Sequence, residues 1–411
     1  MSKDEGTKRS VVMISQWFPP EHAPIGYMVK ELATYLSQQG WEVEVITGFP
    51  NHPTGRVQPP YSKGRILRER LDGVDVSRLW LFTSERLNFL TRALNFLSFT
   101  FSVLVYLLFR TKPKLVFAVL QPLPMGAVLS LLARIRGFKL VFSIQDLHPD
   151  VLIDLGLIRN PLSIRVLKWI ERTSYRRADG LAVICEGFKT HVQKSGGRGI
   201  VAVIPNWIDI DQVRPESFPD NPIRQMAGVP HDSPVALYAG TIGHVSGAEV
   251  VIEAAKLSPD VTWLFVGEGP VLQQLKRLAL SCSNVRFLPF QPRQLLSAVQ
   301  NSADVSLISL LPGKGAFSVP SKVLGYMAAA RPVVASVDAD SETARLVADA
   351  RCGEVVPAGD ALLLARAVRD VVGRPQHARS LGQAGRAFLE ANYSLAQVCG
   401  RYQSLFEQVV S

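Results

Sequence analysis

The sequence predicts an α/β protein with two doubly wound parallel-sheet domains. The chain has 411 residues, more than one hydrophobic core usually organises, so two domains are expected. In both halves, short β-branched runs alternate with helical segments, which is typical of a parallel sheet covered by helices. Between the halves, residues 204–223 are rich in Pro, Asp and Asn and are the predicted linker.

Each predicted strand is a short apolar run. In the first half these runs are VVMIS, VEVITG, LVFAVL (115–120), LVFSI (140–144) and LAVI (181–184), and a helix is predicted over Met28–Gln39. In the second half they are VALYAG (235–240), TWLFVGEG (262–269), VRFLPF (285–290), VSLISLL (305–311) and PVVASV (332–337). Open α/β sheets bind ligands beyond the carboxyl ends of their strands, so the loops after these runs are where a site is expected.

Positive charge is concentrated in the first half. Residues 1–208 hold 27 Lys and Arg against 16 Asp and Glu, whereas residues 209–411 hold 18 against 19. Such a half faces nucleic acid, an anionic membrane or an anionic substrate. No recognition motif accompanies the charge, so no nucleic-acid partner is expected. Four cysteines without paired spacing and a polar N-terminus unlike a signal peptide indicate a cytoplasmic protein.

Two segments of the first half favour contact with a membrane surface. Between Arg92 and Arg110 lie 17 uncharged residues, 13 of them apolar. This segment, 93–109, is slightly short for a spanning helix and is interpreted as a buried or half-inserted one. Residues 161–177 interleave basic and apolar side chains at helical spacing, which indicates a basic amphipathic helix. The alternatives are a core helix for the first segment and a solvated surface helix for the second.

The most informative stretch is 319–336, VPSKVLGYMAAARPVVAS. A proline, Ser321 and Lys322 stand where a first helical turn begins, and a small-residue helix and a β-branched run follow. Backbone N–H groups and a lysine at a helix N-terminus favour phosphate binding. An ordinary crossover with a solvated lysine is the alternative.

These motifs resemble those of retaining glycosyltransferases of family 4, especially bacterial enzymes of colanic-acid, O-antigen and exopolysaccharide assembly. The shared motifs, in the family's order, are VVMISQWFPPE (11–21), WEVEVITGFPNHPTGRV (41–57), FSIQDLHPD (142–150), IPNWID (204–209), YAGTIG (238–243), FVGEGP (265–270) and NYSL (392–395). The resemblance implies the GT-B fold, in which two Rossmann-like domains face each other across a cleft. It places an acceptor-side domain at 1–208 with a returning helix at 395–411, and a nucleotide-sugar domain at 209–394.

The resemblance places the sugar donor in the second domain. The loop from Gly240 to Gly247 follows a strand and opens a helix, and its glycines allow close backbone approach to a diphosphate. Many relatives carry Arg and Lys where this chain has Thr241 and Ser246. More of the charge neutralisation would then fall to Lys322, helped by His244 when it is protonated. The donor-binding candidates are Gly240, Thr241, Gly243, Ser321, Lys322 and Glu342.

A second departure concerns two glutamates, the second of which holds the ribose in many relatives. Phe317 and Gly325 stand at those positions, which leaves the sugar-binding carboxylate unassigned. Glu342, in the loop after the next predicted strand, is the candidate. The alternative is an ordinary first-turn glutamate of the following helix.

In the first domain, the candidates lie in three loops. Gly26 in FPPEHAPIGYM (18–28) and His52 after the second predicted strand are the acceptor-side candidates, an exposed loop histidine being the alternative for His52. Asp146 and His148 are the catalytic candidates, because Asp and His can orient a hydroxyl and support positive charge developing on a sugar. In relatives, this last loop lies near the donor's anomeric carbon. Asp150 is expected to cap the next helix.

No metal or cofactor is expected. The pairs Asp209/Asp211 and Asp338/Asp340 are interpreted as acidic loops, because GT-B enzymes generally work without metal. Retaining enzymes of this type also need no strong base, since the leaving phosphate can accept the proton of the acceptor.

The expected function is transfer of a sugar from a nucleotide diphosphate sugar, with UDP expected, to a glycan carried on a polyprenyl diphosphate at the cytoplasmic face of the inner membrane. A GT-B epimerase acting on free nucleotide sugar is one alternative, but it gives no reason for the apolar segment 93–109. A non-catalytic partner subunit is another. Thr241, Ser246 and Gly325 favour it, and Lys322, Asp146 and His148 argue against it.

Overall fold

The computed structural model describes residues 9–411 except 22, 62–63, 65, 87, 155, 157, 217–219, 231 and 315–321. The chain divides into two compact units. One contains the residues up to Pro205 together with Cys399–Ser411, and the other is Asn206–Val398. One boundary therefore lies in the predicted linker, and the other lies within the predicted returning helix.

The first unit is built on one eight-stranded sheet. Its strands are β1 (Ser10–Ile14), β2 (Glu42–Gly48), β3 (Ile66–Leu71), β4 (Val74–Leu79), β5 (Leu115–Val119), β6 (Lys139–Ile144), β7 (Gly180–Val183) and β8 (Ile200–Val203). Their order is β3-β4-β2-β1-β5-β6-β7-β8, and all neighbours are parallel except β3 and β4. The helices of this unit are α1 (Pro24–Gln38), α2 (Phe89–Phe109), α3 (Leu123–Arg136), α4 (Asp150–Asp154), α5 (Pro161–Arg177) and α6 (Glu186–Lys194).

Local sequence explains where the helices of this unit begin. α1 begins at Pro24 rather than at the predicted Met28, because proline suits a first helical turn. Gly26 therefore lies in the helix and not in the loop before it. α2 begins after Asn88, whose side chain accepts the Thr91 N–H while the Thr91 hydroxyl accepts the Asn88 N–H. This capping box extends the predicted 93–109 helix by four residues at its start.

The β3–β4 hairpin lies outside the predictions. Asp72 and Gly73 join its strands, with φ values of 50° and 83°. Asp-Gly is the strongest short-range hairpin signal in a sequence, so this turn could have been predicted. The strands ILRERL and VDVSRL carry charges, unlike the apolar runs of a parallel sheet buried on both faces.

The second unit is built on a six-stranded parallel sheet. Its strands are β9 (Val235–Ala239), β10 (Thr262–Val266), β11 (Val285–Leu288), β12 (Val305–Ser309), β13 (Val333–Ser336) and β14 (Gly353–Val356). Their order is β11-β10-β9-β12-β13-β14. The helices are α7 (Pro222–Met226), α8 (Ala248–Lys256), α9 (Leu272–Leu278), α10 (Leu296–Asn301), α11 (Lys322–Ala328), α12 (Glu342–Ala350), α13 (Ala361–Gly373), α14 (Pro375–Asn392) and α15 (Leu395–Val410).

The predicted fold class is confirmed, because both sheets are doubly wound and almost wholly parallel. The buried strands β5, β9, β10 and β12 are exposed on neither face. α15 begins in the second unit and ends in the first, where Tyr402 and Phe406 pack against Phe117.

Ala330, just after α11, adopts a left-handed conformation with φ of 52°. A Cβ is unfavourable there, whereas glycine adopts this conformation without steric cost. Ala330→Gly should therefore stabilise the protein by about 0.5–1 kcal/mol, after allowing for the greater entropy of glycine in the unfolded chain. Urea unfolding measures the change. Ala329→Gly, which removes a buried methyl group at a position without positive φ, should destabilise, and equal effects of both changes would contradict the argument.

Candidate active site

Two glycine-containing loops are locked together at the carboxyl edge of the second sheet. The Gly240 N–H donates to the Val266 carbonyl (2.9 Å), and the Ile242 N–H donates to the Glu268 carbonyl (2.8 Å). A Cβ on Gly267 would stand 2.0 Å from the Gly240 carbonyl oxygen, and one on Gly269 would stand 2.2 Å from that of Ile242. Both positions therefore require glycine. The sequence motif FVGEGP was used for the resemblance, but these two glycines were not among the predicted site residues.

Lys322 is the first residue of α11 and reaches this loop. Its Nζ lies 3.7 Å from the centre of the Tyr238 ring and 3.9 Å from where a Cβ on Gly240 would stand. The cation lies against the aromatic ring, and no carboxylate of the described chain pairs with it. Burial lowers the pKa of Lys322 to about 7, because desolvation disfavours the ammonium form. An anion at this point would restore the charged lysine.

Tyr326 fixes the helix that carries Lys322. Its buried hydroxyl accepts the Ala239 N–H (3.0 Å) and donates to the Leu307 carbonyl (3.2 Å). α11 is thereby tied to the carboxyl end of β9 and to the middle of β12. Tyr326 was not predicted as a site residue; its hydrogen bonds fix the helix that begins at Lys322.

The other donor candidates have different surroundings. Thr241 is exposed and Gly243 is half-buried. The buried Ser246 hydroxyl donates to the Gly243 carbonyl (2.7 Å). This side chain therefore closes its own turn and does not take the place of the cationic side chain that many relatives have at this position. Glu342 is the first residue of α12 and accepts a hydrogen bond from Arg345 (3.0 Å). Its proposed sugar contact stays a prediction.

Packing explains why residue 325 is a glycine. A Cβ at this position would stand 3.0 Å from Nε2 of Gln300, a buried residue of α10. The Gln300 side chain thus occupies the space that a larger residue at 325 would enter. Ser321 and Phe317 lie outside the described residues.

A cavity of about 540 Å³ adjoins the locked loops at the ends of β10 and β11. The cavity is lined by the apolar and aromatic side chains of Leu272, Phe287 and Pro289. Its charged lining residues are Glu268 and Lys276. Apolar and aromatic side chains with a few polar groups are the usual lining of a small-molecule site.

In the first unit, Glu21 joins the loops that follow β1 and β2. Its side chain is fully buried, and its Oε1 accepts the N–H groups of Asn51 (2.7 Å) and His52 (2.8 Å). Burial raises the pKa of Glu21 to about 7, despite those donors and the positive charge of Arg78. Gly26 packs its backbone against this loop, since a Cβ there would stand 3.1 Å from Phe18 backbone atoms. Sequence patterns did not single out Glu21, because nothing local marks it as buried.

This raised pKa predicts a pH effect on stability. The unfolded chain loses the Glu21 proton near pH 4.5 and the folded chain loses it near pH 7, so wild-type stability falls across that interval. Glu21→Gln cannot ionise, so it should match the wild type near pH 5 and exceed it by up to about 3 kcal/mol at pH 8. Urea unfolding at the two pH values tests this, and a pH-independent difference would contradict it.

His52 lies at the tip of the same arrangement. The residue is exposed, and its ring lies 6.3 Å from that of Trp17. Partial burial of the ring, together with the nearby Arg92 charge, lowers the pKa of His52, which favours neutral imidazole. Asn95 of α2 links the two loops by bonding Gln16 (2.5 Å) and Asn51 (3.4 Å).

Asp146 and His148 follow β6 and lie next to each other. The Asp146 Oδ2 and His148 Nε2 atoms are 4.0 Å apart, too far for a hydrogen bond. Asp146 is half exposed, and the His148 Nδ1 is buried with no hydrogen-bond partner in the described chain. The pair is close enough to act on one substrate group, and its catalytic role stays a prediction.

Asp150 is the first residue of α4, and its carboxylate pairs with side chains of other helices, so its expected capping of α4 stays a prediction. Its carboxylate contacts Lys168 of α5 (2.5 Å) and His191 of α6 (3.4 Å), and the His191 ring contacts the buried Glu171 (3.0 Å). Among the described residues, Asp150, Glu171 and His191 form one group with metal-ligand spacing. The Lys168 ammonium already contacts both carboxylates, at 2.5 Å from Asp150 and 3.4 Å from Glu171, so this group is served by a cation of the protein itself.

α2 is long and apolar enough to cross a membrane, although length and composition alone are weak evidence. Only 22% of its apolar window is buried, so the interpretation of 93–109 as a buried helix is wrong, and the core-helix alternative with it; insertion into a membrane stays a prediction. Six of its exposed apolar side chains recur every three or four residues and form one stripe, the α2 stripe, consisting of Leu90, Leu94, Leu97, Phe101, Val105 and Leu108; Phe109 is exposed as well.

The neighbouring helices expose further apolar side chains. α3 packs against both α2 and α5 and exposes Leu131 and Ile135. α5 exposes Leu162, Val166 and Trp169 beside its arginines. The amphipathic helix predicted at 161–177 is therefore present, with a basic and partly apolar outer face.

Two family models match this chain. Residues 25–207 match the glycosyl transferase 4-like domain, and residues 220–388 match the glycosyl transferases group 1. The putative colanic acid biosynthesis glycosyl transferase WcaI of Escherichia coli is 29% identical over 340 residues, 80% of this chain and 83% of that protein. The probable glycosyltransferase WbjE of Pseudomonas aeruginosa is 27% identical over 266 residues, 63% and 65% of the two chains.

Solved structures show the same fold along almost the whole chain. Sucrose-phosphate synthase of Thermosynechococcus elongatus superposes with a TM-score of 0.75 at 19% identity, covering 98% of this chain and 99% of that one. Anabaena HepE in complex with UDP-glucose superposes with a TM-score of 0.71 at 16% identity, covering 97% and 99%. With both domain models matched in order, the chain belongs to the glycosyltransferases of family 4 type, with the GT-B fold.

Proposed function

We propose that this glycosyltransferase moves a sugar from a UDP-sugar to a lipid-linked glycan during assembly of a bacterial surface polysaccharide, with retention of configuration. The observation that carries the proposal is Lys322, a lysine without an acidic partner in the described chain, beside the loop that begins at Gly240. The name of WcaI, which refers to colanic acid biosynthesis, supports the glycan, and the UDP-glucose bound to HepE supports the nucleotide.

The donor diphosphate would lie against the Gly240 loop and Lys322. As the bond to the sugar breaks, negative charge grows on the departing diphosphate. The Lys322 ammonium stabilises that charge more strongly than it stabilises the intact donor. The cavity lined by Phe287 and Leu272 adjoins this loop, and we assign it to the nucleoside. With a fixed cation at the diphosphate, the reaction needs no metal ion.

The acceptor would bind the first unit. Asp146 and His148 are proposed to orient the attacking hydroxyl and to support the positive charge on the sugar. The leaving phosphate takes the proton of that hydroxyl, so that the new bond forms on the face that the diphosphate leaves. The start of α1, with Gly26, and the loop of His52 are proposed to hold the acceptor.

A lipid-linked acceptor also fits the outer face of α2, α3 and α5. The α2 stripe offers about 27 Å of exposed apolar surface, at 1.5 Å per residue. Arginines 165, 172 and 176 of α5 are exposed nearby and would attract anionic lipid. We therefore propose peripheral association with the cytoplasmic face of the inner membrane.

Calorimetry with UDP and GDP, followed by transfer assays with radiolabelled nucleotide sugars and a total lipid extract of the source organism, tests the proposal. UDP binding and labelling of lipid, with a retained anomeric configuration in the NMR spectrum of the product, are expected. Binding of neither nucleotide would instead support the non-catalytic partner subunit. Conversion of free UDP-sugar without lipid labelling would support the epimerase.

A further inference from the structure

Glu21 pins two loops with one atom. Its Oε1 accepts two consecutive N–H groups, those of Asn51 and His52, at 2.7 and 2.8 Å. Glu21 belongs to the loop after β1, whereas Asn51 and His52 follow β2. Distances this short are typical of hydrogen bonds to a carboxylate. The position of the His52 loop therefore depends directly on the Glu21 side chain.

The second oxygen of the Glu21 carboxyl group lacks hydrogen-bond donors among the described residues. Its Oε2 is buried and has no hydrogen-bond partner in the described chain. The buried Arg78 guanidinium acts on Glu21 through its charge alone, because its hydrogen bonds go to Glu69 (2.5 Å) and the Pro19 carbonyl (2.5 Å) and its Nη1 has no partner in the described chain. A buried acid without a paired cation lowers stability, and an uncharged residue would avoid that loss. A side chain that lowers stability at the mouth of a site is a candidate for a functional role.

The loops that Glu21 joins carry groups suited to a sugar. Trp17 offers a partly exposed ring, with the His52 ring 6.3 Å away and the Phe96 ring of α2 6.2 Å away. The Asn95 amide bridges the same two loops from α2. Aromatic faces beside amide groups bind the apolar and hydroxyl faces of carbohydrates.

We propose that Glu21 is a positioning residue for the acceptor, which it serves by holding the His52 loop against the Trp17 loop. This inference rests on the proposed function, because it assumes that the acceptor glycan binds this edge of the first unit. Glu21 itself is buried and would not touch the substrate. Its removal should therefore weaken acceptor binding and leave donor binding unchanged.

The test compares Glu21→Ala, Glu21→Gln and the control Glu42→Ala, an exposed glutamate at the opposite end of β2. Hydrogen-exchange mass spectrometry follows the peptide that contains Asn51 and His52, with a peptide over β9 as internal reference. Transfer of radiolabelled sugar from UDP-sugar is measured against dilutions of the total lipid extract. UDP binding is measured in parallel.

In the alanine variant, we expect at least tenfold faster exchange in the loop peptide and a tenfold higher half-saturating amount of extract, with maximal rate and UDP affinity within twofold of wild type. Glutamine, which keeps the accepting Oε1, should restore both, and Glu42→Ala should change neither. Unchanged loop exchange in Glu21→Ala, or a glutamine variant as impaired as alanine, would overturn the proposal.

A wild-type protein that transfers no sugar would overturn the proposed function and the acceptor role with it. Loop exchange would still report whether Glu21 holds the loop.

Discussion

Replacing Lys322 with alanine should weaken UDP binding by about 1–3 kcal/mol, or roughly 5- to 150-fold. The reason is that Lys322 brings a cation to the Gly240 loop without a carboxylate in the described chain to neutralise it. Titration calorimetry measures the change. Lys256→Ala is the matched control, because Lys256 is an exposed lysine of the same unit, paired with Glu253 at 2.7 Å. Equal affinity for wild type and Lys322→Ala would refute the donor site.

The same lysine predicts a pH dependence of binding. With the pKa of the empty site near 7, Lys322 is charged below that pH and increasingly neutral above it. A bound diphosphate favours the ammonium and raises its pKa, so binding above pH 7 must take up a proton. UDP affinity should therefore fall as pH rises from 7 to 9, by at most tenfold per pH unit.

Calorimetry in two buffers of different ionisation enthalpy reports this proton uptake directly. Lys322→Ala should lose it. Lys322→Arg should lose it while keeping part of the affinity, because a guanidinium stays charged throughout this range. Uptake that persists in both variants would assign the proton to another group.

Placing glutamates at Leu97 and Phe101 of α2 should abolish binding to vesicles rich in phosphatidylglycerol. These side chains are 52% and 63% exposed, and each is expected to contribute about 1.5–3 kcal/mol when it enters lipid. Their joint loss should weaken binding by at least about 3 kcal/mol, or a hundredfold. Vesicle flotation or cosedimentation measures the effect.

Leu280→Glu is the matched control, since Leu280 is 86% exposed on the other unit. It should bind vesicles as the wild type does. Binding should also weaken in high salt and in phosphatidylcholine vesicles, because the α5 arginines act through screened charge. Vesicle binding retained in the double glutamate variant would show that the α2 stripe does not contact lipid.

The fold class could be predicted because its signals are local. Apolar runs such as LVFAVL and VALYAG alternate with helical segments, and a chain of 411 residues exceeds one core. The β3–β4 hairpin was not predicted because its strands carry charges, although its Asp-Gly turn is a hairpin signal. The start of α1 was placed late because Pro24 was not counted as its first turn.

The candidate site was predicted only in part, because its geometry joins residues that are distant in sequence. Lys322 and Gly240 belong to separate motifs, and it is the Tyr326 hydroxyl between β9 and β12 that holds them together. Gly267 and Gly269 look like ordinary turn glycines until the approach of the Gly240 loop makes any Cβ impossible.

The chain's composition and motif order were sufficient for the family, the two doubly wound domains and the lysine that is proposed to meet the donor, since each depends on neighbours in sequence. The sequence could not predict which side chains are buried or which hydrogen-bond partners they have. In sequence, Glu21 is one more polar loop residue, yet folding removes it from water and gives it two N–H donors from 30 and 31 residues away. The α2 stripe likewise fits a core helix in sequence, and packing alone leaves it outside, because hydrophobicity states what a side chain prefers and not what covers it.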